Sequence, residues 1–203
     1  MKVLMLSPFP YEAAATRVRC AQYIPYLQAQ GVQTVLRSFM SPHLFAIVYR
    51  RGYAAAKLWH TIRAGLRRIG DWVRAERFDL IFVYRELLPF GPPLAEQLLV
   101  WSGKPLVFDF DDAIFLAPSS PANRRLQFLK LRGKVRRLVC MSRGVTAGNA
   151  FLATYARQFN DAVEVFPSTV DTECFCPGVR NDANTPITLG WVGSPTTAPY
   201  LNL

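Results

Sequence analysis

Two rhythms of apolar residues alternate along this chain. Short unbroken runs, such as Val3-Leu4-Met5-Leu6 and Ile81-Phe82-Val83, fit strands buried on both faces. Longer stretches carry apolar residues three and four apart, which is helical spacing. On this reading residues 2–7, 33–38, 79–84, 105–110, 145–147 and 162–166 are strands. Residues 16–30 form one helix, with Val18, Tyr23, Ile24 and Leu27 along one side and Gly31 as its stop. Residues 92–102 form another, closed by Gly103, and a long helix begins after Ala122 and ends at Gly144. Asn149 is placed to cap the next helix. Strands separated by helices predict an α/β protein, a Rossmann-like parallel sheet flanked by helices.

The longest helical pattern lies between the second and third strands. Over residues 53–74, Leu58, Ile62, Leu66, Ile69 and Val73 recur at helical spacing. His60, Arg63, Arg67 and Arg74 fall toward another side, with Arg50, Arg51, Lys57 and Arg68 nearby. Two readings stay open. The segment is a domain helix with a solvated basic face, or it lies in the plane of an anionic membrane surface. Trp59 and Trp72 suit an interface or a core.

Residues 168–185 break the alternation. They are rich in Pro, Asp, Asn and Thr and lack periodicity, as a linker does. The strand-like run Ile187 to Val192 follows, then Gly193-Ser194-Pro195 and the opening of a helix. Three parts are expected: an N-terminal Rossmann-like domain over 1–167, a linker over 168–186, and the first strand and turn of a second, truncated domain over 187–203.

Composition narrows the partners. Hydrophobic residues make up 51% of the 203, enough for a sizeable core. The net charge of +10 favours an anionic partner: nucleic acid, a phosphorylated ligand or acidic lipid. No nucleic-acid motif is present, which disfavours the first. No apolar run approaches the roughly 20 residues that span a bilayer. The apolar stretch at the N-terminus is too short for a signal peptide. Cys20, Cys140, Cys174 and Cys176 are scattered, without metal-site spacing, and read as reduced thiols of a cytoplasmic protein.

Ligands of an open parallel sheet bind beyond the C-terminal strand ends. The loop after the first strand, Ser7 to Ala15, holds no glycine, which disfavours a dinucleotide cofactor and a Walker A loop. Arg17 and Arg19, expected at the start of the first helix, form a candidate anion site there. Asp109-Phe110-Asp111-Asp112 closes the fourth strand. Carboxylates so close repel one another, so a cation or a hydrogen-bond network should hold them. They are candidates for binding sugar hydroxyls or a cationic transition state, or alternatively for capping and an arginine salt bridge. Gly193 and Ser194 would let a phosphate approach the backbone. With only His43 and His60 in the chain, histidine-based chemistry has little support.

Several stretches together resemble the N-terminal part of retaining GT-B glycosyltransferases of family 4, the glycosyltransferase group 1 family. They are MKVLMLSPFP with TRVRCAQYIPYLQAQGV, LVFDFDDAIF, VTAGNAFLATYA, VEVFPSTVDTECFCP and LGWVGSPTTAPYL. In the fourth, Pro167, Val170, Asp171, Phe175 and Pro177 match the family's entry to its interdomain linker. The resemblance implies two Rossmann-like domains facing across a cleft, with the acceptor bound by the first and a nucleoside diphosphate sugar by the second. A sugar would be transferred with retained configuration, without a metal and with no cofactor beyond the donor substrate. It implies catalytic or sugar-contacting roles for Asp109 and Asp111, acceptor or phosphate contacts for Tyr11, Arg17, Arg19, Asp112 and Asn149, and donor contacts for Gly193 and Ser194. The acceptor implied is a lipid-linked or cell-surface glycan precursor, and the location is the cytoplasm or the inner face of the cell membrane. The chain departs from the family where Tyr11-Glu12-Ala13 replaces a glycine pair, where the Asp cluster replaces a histidine, and where Ser168-Thr169 replaces Asn-Gly. The family's paired glutamates would lie beyond Leu203, so the chain reads as part of an enzyme, inactive by itself. Two alternatives remain: a metal-dependent GT-A-like transferase using Asp109 and Asp111, and a non-enzymatic basic module for membrane or nucleic acid.

Overall fold

The computed structural model describes residues 1–50, 52–88, 93–116, 133–173 and 175–178. Six strands form one sheet: β1 (Lys2–Ser7), β2 (Gln33–Ser38), β3 (Leu80–Tyr84), β4 (Leu106–Phe110), β5 (Gly144–Ala147) and β6 (Val163–Val165). All pairs are parallel, in the order β2-β1-β3-β4-β5-β6. The fold is α/β and Rossmann-like. The strand order reverses between β1 and β3, so the topological switch point lies there.

Alternate residues of β1 face opposite sides of the sheet. Val3 and Met5 pack with Cys20, Ile24 and Leu27 of the first helical segment. Leu4 and Leu6 join Ile81, Val83, Leu99, Phe108 and Leu138 in the larger core. Helices therefore cover both faces: α1 (Ala14–Arg19) and α2 (Ile24–Ala29) on one, α5 (Leu94–Trp101), α6 (Lys134–Met141) and α7 (Ala150–Ala156) on the other. Asn149 caps α7, its Oδ1 accepting from the Leu152 amide at 2.9 Å.

Two expected helices are corrected. The single helix over 16–30 is broken into α1, a 3-10 turn (Ala21–Tyr23) and α2. Pro25 has no amide hydrogen and its ring would collide with the Ala21 carbonyl, so one continuous α-helix cannot run through it. Arg17 and Arg19 consequently stand in the last turn of the short α1, not at a helix start. The helix expected to end at Gly144 ends at Met141, and Gly144 instead opens β5. The start of that helix near Ala122 lies outside the described residues.

Between β2 and β3 the chain forms α3 (Pro42–Val48) and α4 (Ala54–Arg74). The α3 helix was not expected, although Ser41 caps it and Pro42 occupies its first turn. The 21-residue α4 is the amphipathic helix of the sequence, but among the described residues nothing packs over its apolar side. Ala64, Arg68 and Asp71 are its buried residues. Leu58, Trp59, Ile62, Leu66, Ile69 and Val73 are exposed. The basic face is solvated, with Arg63, Arg67 and Arg74 exposed, and the apolar stripe is exposed beside it.

A polar clip explains the orientation. The buried Arg68 guanidinium donates to the Ser7 carbonyl (2.8 Å), to the Arg37 carbonyl (3.4 Å) and to Asp71 Oδ2 (3.0 Å). Arg37 pairs with the other oxygen of Asp71 at 3.1 Å. Ala64 packs in a small cluster with Phe39, Leu44 and Ile47. Small residues allow close approach, and the clip fixes α4 to the ends of β1 and β2.

The chain divides into two compact units, Met1–Thr169 and Val170–Leu203. In the second, the described residues 170–173 and 175–178 are exposed, with a turn in which Asp171 Oδ1 accepts from the Glu173 amide. The strand and turn expected over 187–203, with Gly193 and Ser194, lie outside the described residues.

Candidate functional site

The C-terminal ends of β1 and β3 flank the switch point, so their loops define the crevice. The first loop is held by hydroxyls rather than shaped by glycine. Thr16 Oγ1 donates to the Phe9 carbonyl (3.0 Å), Ser7 Oγ and Thr16 Oγ1 are 2.7 Å apart, and the Phe9 amide donates to Ser7 Oγ (3.2 Å). Arg17 folds back on this loop, donating to the carbonyls of Tyr11 (3.3 Å) and Glu12 (2.7 Å). The Tyr11 side chain remains exposed.

Beyond β3 stands Arg85, with φ of 59°. A left-handed backbone at a residue with a Cβ costs roughly 1–2 kcal/mol. Its amide donates to the Asp109 carbonyl at 2.7 Å, which holds the strained turn against β4. The guanidinium lies 5.9 Å over the Phe9 ring and 5.7 Å over the Tyr84 ring. It pairs closely with Asp112 and lies 3.5 Å from Asp111 Oδ1 through Nε, which makes no hydrogen bond. Tyr84 donates its hydroxyl to Asp111 Oδ1 at 2.9 Å. Burial pushes the Tyr84 phenol well above the usual tyrosine range, so it stays a donor.

Asp109 plays a different part. It lies on the side of β4 that Arg19 of α1 reaches, and there the carboxylate is fully buried. Arg19 grips both its oxygens, with Nε at 2.9 Å from Oδ2, and Thr146 Oγ1 donates to Oδ1 at 2.6 Å. Arg19 also donates to the Phe166 carbonyl at 2.6 Å, beyond β6. One guanidinium thus ties α1, β4 and the end of β6. Burial pushes the Asp109 carboxyl above its usual range, against the pull of Arg19 and Thr146. Burial also opposes the charge on Arg19, but its bond and attraction to Asp109 prevail and its pKa rises.

The structure thus separates the residues singled out from sequence. Asp111 and Asp112 come together at the crevice. Asp109 and Arg19 come together beneath it as an internal pair, with no edge free for a ligand. Arg17, in α1, is turned back onto the first loop, and the side-chain oxygen of Asn149 is engaged in its helix cap. Gly148, beside it, lets the β5 loop approach: a Cβ there would lie 2.9 Å from the Asp111 Cα. Among the described residues no cluster of three metal-binding side chains occurs. Asp109 and Asp111 are engaged by different partners, Arg19 with Thr146 and Tyr84 with Arg85, so they do not form a chelating pair.

Arg85 and Tyr84 escaped the sequence reading. Arg85 follows a buried strand, the position where a switch-point ligand would meet the chain, and that placement is the signal that could have found it. The arrangement offers a guanidinium between two carboxylates beside the rings of Phe9 and Tyr84. Such a set can accept hydrogen bonds from hydroxyls and donate to an anionic oxygen at once.

No family model matches the chain, and no curated protein matches it. Solved structures that match include a protein assigned as a quinone reductase from Klebsiella pneumoniae, 15% identical, covering 55% of this chain and 59% of that one with a TM-score of 0.32. A likeness so slight does not bear on the reaction.

Proposed function

We propose that this chain supplies the acceptor side of a retaining sugar transferase that uses a nucleoside diphosphate sugar. The observation that carries the reading is the Arg85–Asp111–Asp112 cluster at the β1/β3 switch point, mounted on a strained turn beside Phe9. Strained backbone is costly and tends to persist where function needs it. The family resemblance of the chain supports the same assignment.

In this reading the carboxylates of Asp111 and Asp112 accept hydrogen bonds from acceptor hydroxyls, and Tyr11 adds an exposed ring at the rim. Arg85 attracts the negative charge that develops on the departing diphosphate. The acceptor oxygen bonds to the anomeric carbon, the anomeric bond to the diphosphate breaks with its electron pair, and the hydroxyl proton leaves with the nucleoside diphosphate. Arg19 and Asp109 are positioning residues that fix the floor of the crevice. Gly193 and Ser194 are the donor-side candidates.

The test is transfer of radiolabelled sugar from a panel of nucleoside diphosphate sugars to lipid-linked and free glycan acceptors, by the complete product of the gene. Transfer is expected, with Arg85→Ala reducing kcat/KM on the order of a hundredfold at an unchanged melting temperature. No transfer from any donor, or full activity in Arg85→Ala, would overturn the proposal.

A further inference from the structure

The outward stripe of α4 has no partner within the described chain. Leu58 is 63% exposed, Leu66 63% and Val73 65%, and Ile62 and Ile69 complete the row. At 3.6 residues per turn these five lie on one side of the helix, with Trp59 at one margin and Trp72 at the other. Arg63 and Arg74 line the Trp59 margin as a second row, with Arg67 between them donating one guanidinium N–H back to the Phe39 carbonyl at 3.1 Å. The only carboxylate on α4 is Asp71, which is buried and paired with Arg68 and Arg37. The exposed surface of the helix is therefore apolar and cationic, with no negative group.

We infer that α4 is a membrane-docking helix that lies in the plane of an anionic lipid surface. The inference is independent of which reaction the crevice performs. Three observations select lipid over a protein partner. The apolar row has the width and length of an in-plane amphipathic helix, and no described helix is long and apolar enough to cross a membrane. Tryptophans at both margins match the depth at which indole rings settle between headgroups and acyl chains. The arginine row meets lipid phosphates, whereas a twofold antiparallel pairing of two α4 helices would bring both arginine rows to the same edge, like charge facing like. The buried clip of Arg68, Asp71 and Ser7 holds the helix to the body from behind, so the stripe can insert without unfolding the domain.

The test is vesicle flotation of the purified protein, with tryptophan emission as a second readout. Vesicles of phosphatidylcholine containing roughly one-third phosphatidylglycerol should carry the protein and shift its emission to the blue. Pure phosphatidylcholine should bind on the order of tenfold less, and high salt should release the protein. Ile62→Asp with Leu66→Asp should abolish binding, and Arg63→Glu with Arg74→Glu should weaken it at least about tenfold, each with an unchanged circular-dichroism melt. No binding to anionic vesicles, or binding that survives Ile62→Asp with Leu66→Asp, would overturn the inference. Self-association lost in that double variant, without vesicle binding, would assign the stripe to a second copy of the chain instead.

Discussion

Helices α4 and α6 carry similar sequence patterns and face opposite ways. Both are basic and amphipathic. In α6, Val135, Leu138 and Val139 are buried in the main core while Arg136 and Arg137 stay in water. In α4 the leucines and isoleucines stand in water, and Arg68 and Asp71 are buried. The difference teaches that an amphipathic period identifies two unlike faces without saying which one meets the body. What decides is the set of partners. For α6 the partners are apolar residues of the sheet. For α4 they are the carbonyls of Ser7 and Arg37 at the ends of β1 and β2, to which Arg68 donates, Ser7 also accepting from the Phe39 amide.

The largest effect expected from this contrast is on the clip. Asp71→Ala leaves Arg68 buried without its counter-charge and should destabilise the protein by about 3–5 kcal/mol in urea denaturation. A loss under about 1 kcal/mol would mean that α4 is not held by its polar face. At the small end, Arg137→Ala on the outer face of α6 should change stability by no more than about 0.5 kcal/mol. A clearly larger loss would mean that this face of α6 packs against something.

The sheet was legible because its signals are local. The bounds of β1 and β2 agree with the apolar runs, and the glycines that stop the first and third expected helices, Gly31 and Gly103, both adopt positive φ. The break at Pro25 was also legible in principle, since a proline in mid-helix carries its own penalty. The site was less so. The need for a cation at the Asp cluster follows from electrostatics, but which arginine serves which carboxylate does not. Arg19 and Asp109 are 90 positions apart, and only the folded sheet brings them together. Arg85 sits 27 positions from Asp112 in a left-handed turn that no glycine announces. The face that α4 presents depends on carbonyls at the ends of two other strands, information that its own 21 residues do not contain.

The orientation of α4 is the central claim, and paired charge insertion tests it most directly. Leu66→Asp and Leu138→Asp place the same carboxylate on the apolar face of each helix, and urea denaturation reads both. The account predicts that Leu66→Asp keeps the wild-type midpoint, within about 0.5 kcal/mol. Leu138→Asp should cost more than about 4 kcal/mol or prevent folding, because it buries an unpaired charge. Equal and severe losses in both variants would contradict it, placing the α4 stripe in a core.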